Sequence, residues 1–141
     1  MSSTYHEEYA EGLLDHARKE LLAISAATEI NVHEVPGAFE IPLVVQAIAR
    51  AGNVDAIIAF GLIMEGQTAH ATLISTAVTD GLMRIALMTG IPVVHEVLVV
   101  INEEQARARC IDDQLNRGTE AARVAMRMAQ VMDEFSTEAG R

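Results

Sequence analysis

Tryptophan is absent, and the other aromatics are three Phe and two Tyr, 4 % of the chain, so any core has to be built from aliphatic side chains. One cysteine, Cys110, excludes an intrachain disulfide framework and a cysteine-based zinc cluster, and suits a reducing compartment. Positive charge is scarce: 10 Lys and Arg face 20 Asp and Glu, a net charge of −10. That balance argues against a broad nucleic-acid surface or an anionic membrane surface, both of which need excess cations. A phosphate on a small molecule needs only one or two of them. Long apolar runs are missing too. Ile91 to Ile101 is broken by His95 and Glu96 and falls short of the roughly 20 residues that cross a bilayer, so no membrane span is expected. The opening MSSTYHEEYAEG lacks the basic-then-apolar order of a secretory signal, which makes the cytoplasm the expected address.

What is present is apolar patterning. Half of the 141 residues are hydrophobic (50 %), enough for one core in a single domain spanning residues 1–141. From Glu7 to Ile24, Leu13, Leu14, Ala17, Leu21 and Leu22 recur at helical spacing. Glu29 to Val35 reads as a short strand ending at Pro36-Gly37, with His33 on its outward face. Phe39 to Arg50 reads as a helix with Pro42 in its first turn, and Asp55 to Leu62 as a strand covered on both faces. Thr68 to Thr89 is the next helix, with Leu73, Ala77, Val78, Leu82, Ile85 and Met88 on one face. Pro92 to Ile101 is a second buried strand. A short helix to about Cys110, a polar loop around Asp112-Asp113 and a last helix from Asn116 to about Phe135 follow, with STEAGR fraying. Strands alternating with helices, without hairpin signals, predict an α/β layered fold with a mostly parallel sheet. Such a unit normally leads with a strand, yet only Met1 to Thr4 precede the first helix.

In parallel α/β sheets ligands bind beyond the carboxyl ends of the strands, where helix N-termini point free N–H groups outward. Val35 to Glu40, Gly61 to His70 and His95 to Val99 are the segments expected there. Gly66-Gln67-Thr68 ahead of a helix is either a plain N-cap or an anion cradle, and His70 in the first turn is placed to exchange a proton with a bound phosphate. His95 interrupts an apolar strand and is either a satisfied core histidine or a pocket-lining one. His6 and His16 read as solvent-facing helix residues, and no histidine spacing supports a metal site. The seven methionines, Met83, Met88, Met126, Met128 and Met132 among them, read as core or interface filler, and Arg107, Arg109 and Arg117 as solvated surface charges.

The stretches VPGAFEIP (Val35 to Pro42), AFGLIMEGQTAHATLIS (Ala59 to Ser75), GLMRIALMTGIPVVHEVL (Gly81 to Leu98), NEEQARARC (Asn102 to Cys110) and NRGTEAA (Asn116 to Ala122), in this order, resemble the 6,7-dimethyl-8-ribityllumazine synthase family of riboflavin biosynthesis. The resemblance implies a flavodoxin-like three-layer sandwich, with the family's first strand truncated to Ser2-Ser3-Thr4. It implies condensation of 5-amino-6-(D-ribitylamino)uracil with 3,4-dihydroxy-2-butanone 4-phosphate, releasing inorganic phosphate and water, without metal or organic cofactor. His70 would then shuttle protons, Gly66, Gln67 and Thr68 would bind phosphate, and Arg109 would reach that phosphate from a neighbouring subunit. Ala38, Phe39 and Glu40, with Leu62, Ile63 and Met64, would bind the other substrate. Tyr5 would stack on the heterocycle, and Arg117 replaces a lysine near the site. The pattern departs at Glu65, where a base is common, at Ala71-Thr72, which replace an aromatic-acid pair, and at His95-Glu96, which replace an aromatic-glycine pair lining the pyrimidine pocket, so that His95 would stack on or hydrogen-bond the ring. A homopentamer is implied, with a sixty-subunit icosahedral capsid as the larger state, the terminal helix packing around the five-fold axis through Ala122, Ala125, Met126 and Met132. The alternatives are a non-catalytic flavin- or lumazine-binding relative and a shell-forming assembly protein.

Overall fold

The computed structural model describes the backbone of residues 4–140 and the side chains of residues 7–140. In chain order the elements are α1 (Thr4–Ile24), a 3-10 turn (Ala38–Glu40), α2 (Ile41–Ala51), β1 (Ile57–Met64), α3 (His70–Thr89), β2 (Val93–Val100), α4 (Glu103–Cys110) and α5 (Arg117–Ala139). Pro42 sits at the start of α2, where its missing N–H has no helical partner to lose. Both α2 and α3 end on glycines, Gly52 and Gly90, each at φ 72°, a left-handed conformation that a side chain would disfavour.

Among the described residues the sheet has two strands, β1 and β2, parallel and in register from Ile57 opposite Val93 to Met64 opposite Val100. The pleat divides the core between two helical layers. Ile57, Ala59 and Val97 pack with Val45 and Ala49 of α2 and Val78, Leu82 and Ile85 of α3. Leu62 and Val100 turn the other way, onto Tyr9 and Leu13 of α1 and Ala106 and Cys110 of α4. Ala17, Leu21 and Ala122 continue that side between α1 and α5. Helices thus cover both faces of a parallel sheet, the three-layer flavodoxin-like arrangement that the motifs imply.

Several expectations are corrected. Residues 29–35 form no strand, because a ladder needs a neighbour for its N–H and C=O groups and none of the described residues supplies one. His33 is therefore simply exposed. The truncated first strand falls on Ser2-Ser3, outside the described residues, while Thr4 already opens α1. STEAGR does not fray at Ser136, since α5 continues to Ala139. The buried stripe of α3 is Ala71, Val78, Leu82 and Ile85, whereas Leu73, Ala77 and Met88 are exposed, because this helix is apolar on two faces and the sheet takes only one. Ala122 and Ala125 are buried within the chain, and Met126 packs beside Ala17 and Leu21, so these residues face the chain's own core and offer no free helix face. Finally, α3 is, among the described residues, long and apolar enough to cross a bilayer. Its inner stripe instead packs on α2 and the sheet, and Arg84 Nε donates to Asp80 Oδ2 at 2.8 Å on its outer face.

Candidate active site at the carboxyl end of the sheet

The chain leaves β1 at Met64, and Glu65 N–H still donates to Val100 O at 2.8 Å, anchoring the next residues at the carboxyl edge of both strands. Gly66 to Ala69 then cross to the start of α3. Their backbone N–H groups make no hydrogen bond within the described residues, and the loop leads into the positive end of a 20-residue helix. Thr68 Oγ1 accepts from His70 N–H at 3.4 Å, a long contact made from the residue before the N-cap position, which Ala69 fills without a side-chain cap. His70 is exposed, and its side chain has no partner among the described residues. The plain N-cap reading of Thr68 is therefore corrected, since Ala69 takes that position with no capping side chain, and the backbone donors of the loop are open among the described residues.

The 3-10 turn, which carries Ala38, Phe39 and Glu40, packs against β1, α2 and α3. Glu40 N–H donates to Gly37 O at 3.2 Å, and its carboxylate folds back so far that a Cβ on Gly37 would meet Oε2 at 2.9 Å. Phe39 is 61 % exposed, a large aromatic presented to solvent. Leu62 is buried, and Met64 packs beside it on the α1 and α4 side, while Ile63 packs on the α2 and α3 side. The side chains of these three serve the core, and what the strand end can offer a ligand there is backbone. Ala71 is buried in α3 and Glu65 is exposed.

Other predicted site residues stand elsewhere. Arg109 lies near the end of α4, a helix whose main neighbours are α1, α5 and β2 and include neither the 3-10 turn nor α3. Arg117 is no solvated charge. Its Nε and Nη2 donate to Glu96 Oε2 and Oε1 at 3.1 and 3.0 Å, and Nη1 donates to Glu120. Glu96 is 4 % exposed, so a charge-assisted fork ties β2 to α5, and that bonding raises the Arg117 pKa. His95 lies near the start of β2, opposite Ala59, with Thr79 Oγ1 2.7 Å from Nε2. Burial lowers its pKa, against a smaller opposing influence of Glu96. Tyr5 is the second residue of α1, but its side chain is outside the described residues.

His16 is no free surface histidine either: Nδ1 lies 2.9 Å from Gly12 O and Nε2 3.0 Å from Asp113 Oδ1. Both neighbours only accept, so the doubly protonated ring fits best, and the Asp113 hydrogen bond raises its pKa. Cys110 is buried, and desolvation pushes its thiol up to about 11, which keeps it from serving as a nucleophile. The sequence carried one usable signal for the Arg117 contact, since an acid inside an apolar strand demands a buried cation. Nothing in the spacing marked Thr79 or Asp113.

The family model described as 6,7-dimethyl-8-ribityllumazine synthase matches residues 1–133. The chain belongs to that family. Relatives carrying the same name include one from Azoarcus sp. (strain BH72), 38 % identical over 131 residues, covering 92 % of this chain and 81 % of the relative. Another, from Paraburkholderia phymatum, is 40 % identical over 132 residues, covering 93 % and 74 %. One from Methylibium petroleiphilum is 44 % identical over 117 residues, covering 83 % and 70 %. Membership makes the chain a transferase of riboflavin biosynthesis that takes two small-molecule substrates and releases phosphate.

Proposed function

We propose that the chain condenses 5-amino-6-(D-ribitylamino)uracil with 3,4-dihydroxy-2-butanone 4-phosphate to 6,7-dimethyl-8-ribityllumazine at the carboxyl end of β1. The observation that carries this placement is the row of open backbone donors from Gly66 to Ala69 beside the exposed His70. Gly66, Gln67 and Thr68 hold the phosphate ester, because unpaired amides at a helix N-terminus complement an anion. Glu40 and the backbone of Ala38, Phe39, Ile63 and Met64 hold the ribitylaminouracil, with Leu62 shaping the strand end and Tyr5 stacking on the ring. The amine attacks the ketone to form an imine with loss of water, phosphate then leaves, and rearrangement and ring closure with loss of a second water complete the product. His70 moves protons in these steps, and holding both substrates together supplies much of the acceleration.

Arg109, His95 and Arg117 act on the site of an adjacent subunit. In support, α4 packs away from the chain's own loop, and α3 leaves Leu73, Met83, Leu87 and Met88 uncovered on its outer face, with Leu43 of α2 equally bare. Such an apolar surface suits burial between copies of the chain. A homopentamer is the minimal state in this reading, an icosahedral capsid the larger one, and the cytoplasm the address.

The test is a mass measurement on the purified protein, followed by a fluorescence assay with both substrates. Lumazine formed by an oligomer is the expected result. Tight lumazine binding without turnover would instead select a non-catalytic relative, and a large assembly that neither binds nor turns over would select a shell protein.

A further inference from the structure

His95 has no ring nitrogen to spare. Nδ1 accepts the Val97 backbone N–H at 3.1 Å, and a nitrogen that accepts from an amide carries no proton. The single proton of the neutral ring is therefore on Nε2, which donates to Thr79 Oγ1 at 2.7 Å. The strand's own backbone sets the tautomer, and α3 sets the tilt through Thr79. What the imidazole still offers a ligand is its face and its carbon edge. Thr79 also borders, with Ser75, Thr76, Asp80 and Met83, a shallow open hollow on the surface of α3.

We propose that Thr79 is a positioning residue for the condensation, locking His95 so that the imidazole meets the pyrimidine by stacking and not through a nitrogen. The proposal rests on the reading that His95 lines the pyrimidine pocket, and it resolves which of two contacts the ring makes there. A histidine with both nitrogens engaged behaves as a flat aromatic plate, and π-faces prefer offset stacking. Without Thr79 the ring keeps its hold on Val97 but loses the contact that fixes its plane, so the stacking surface is spread over several orientations.

Thr79→Val keeps the branched shape and removes the oxygen. It is expected to weaken binding of 5-amino-6-(D-ribitylamino)uracil about three- to tenfold, as expected for one lost hydrogen bond. The change should show both in equilibrium titration and in KM, with kcat and the KM of the phosphate-bearing substrate held within about twofold. Thr79→Ser restores the affinity, and His95→Phe recovers most of what His95→Ala loses. Nitrogen-15 spectra of the unliganded protein should show His95 as the Nε2–H tautomer, with averaged signals in Thr79→Val. His95→Phe binding as poorly as His95→Ala, unchanged pyrimidine affinity in Thr79→Val, or an Nδ1–H tautomer would each overturn the proposal. Wild-type protein that makes no lumazine would sink the proposed function, whereas the titration and the spectra judge the Thr79–His95 lock without any turnover.

Discussion

His70 stands free in the first turn of α3, beside donors that would be occupied by a bound phosphate. A group in that position adds little to ground-state affinity and much to proton transfer, so its removal should strike the chemical step. His70→Ala is expected to lower kcat about a hundredfold while KM moves by less than about threefold, read from steady-state kinetics under saturating substrates. An unchanged kcat would remove the histidine from the mechanism. In the proposed site Arg109 would act differently, as a cation pairing with the phosphate ester. Hydrogen bonds to charged groups are the stronger kind, and Arg109→Ala should raise KM for the phosphate-bearing substrate about ten- to a hundredfold. Equal losses for both substrates would mark Arg109 as structural.

The elements on the α1 side of the sheet are held at close range by glycines and one titrating clasp. Gly118 brings α5 so near α1 that a Cβ there would lie 2.2 Å from Leu13 O, and Gly12 does the same toward Cys110 O at 2.4 Å. These are rigid backbone atoms, so Gly118→Ala has to push the helices apart. A loss of about 2 kcal/mol in urea unfolding is expected, the scale of an overpacked core. The His16 clasp ties α1 to the loop after α4 through Asp113. Its folded pKa is raised above 6.5, first by the Asp113 hydrogen bond, with burial and Lys19 opposing. The stabilisation is therefore complete below pH 6.5 and disappears as pH rises through the raised folded value. Wild type should lose its stability advantage over Asp113→Asn across that window, and also lose it with added salt, because Asp113 is 97 % exposed. A pH-independent difference between the two proteins would show that the ring is neutral throughout.

At the scale of the molecule, one chain carries the loop and turn at the carboxyl edge but keeps Arg109 on α4, a helix packed among other elements. On the proposed reading the site is shared between copies, and activity then depends on assembly. Dilution or mild chaotrope that splits the oligomer should abolish turnover in step with the loss of mass, followed by sedimentation and fluorescence on the same samples. An active monomer would overturn both the shared site and the role given to Arg109. Replacing Leu73 or Leu87 by Glu would be a second route to the dissociated state, since both lie on the bare outer face of α3.

The sequence by itself determined the local pieces. The helices, both strands and the loop with His70 follow from apolar period, capping and turn chemistry, which act over a few residues. The tertiary structure decided what depends on neighbours distant in the chain. Residues 29–35 have strand character but no ladder partner, and that is a question of pairing, not propensity. Ala122 and Ala125 carry the same small side chains whether they face a second subunit or α1, and only packing assigned them inward. Glu96 found Arg117 21 residues away, Thr79 found His95 across 16, and His16 found Asp113 across 97. Hydrogen bonds are set by where atoms meet in space, and sequence separation carries no information about that until the sheet has brought its two helical layers together.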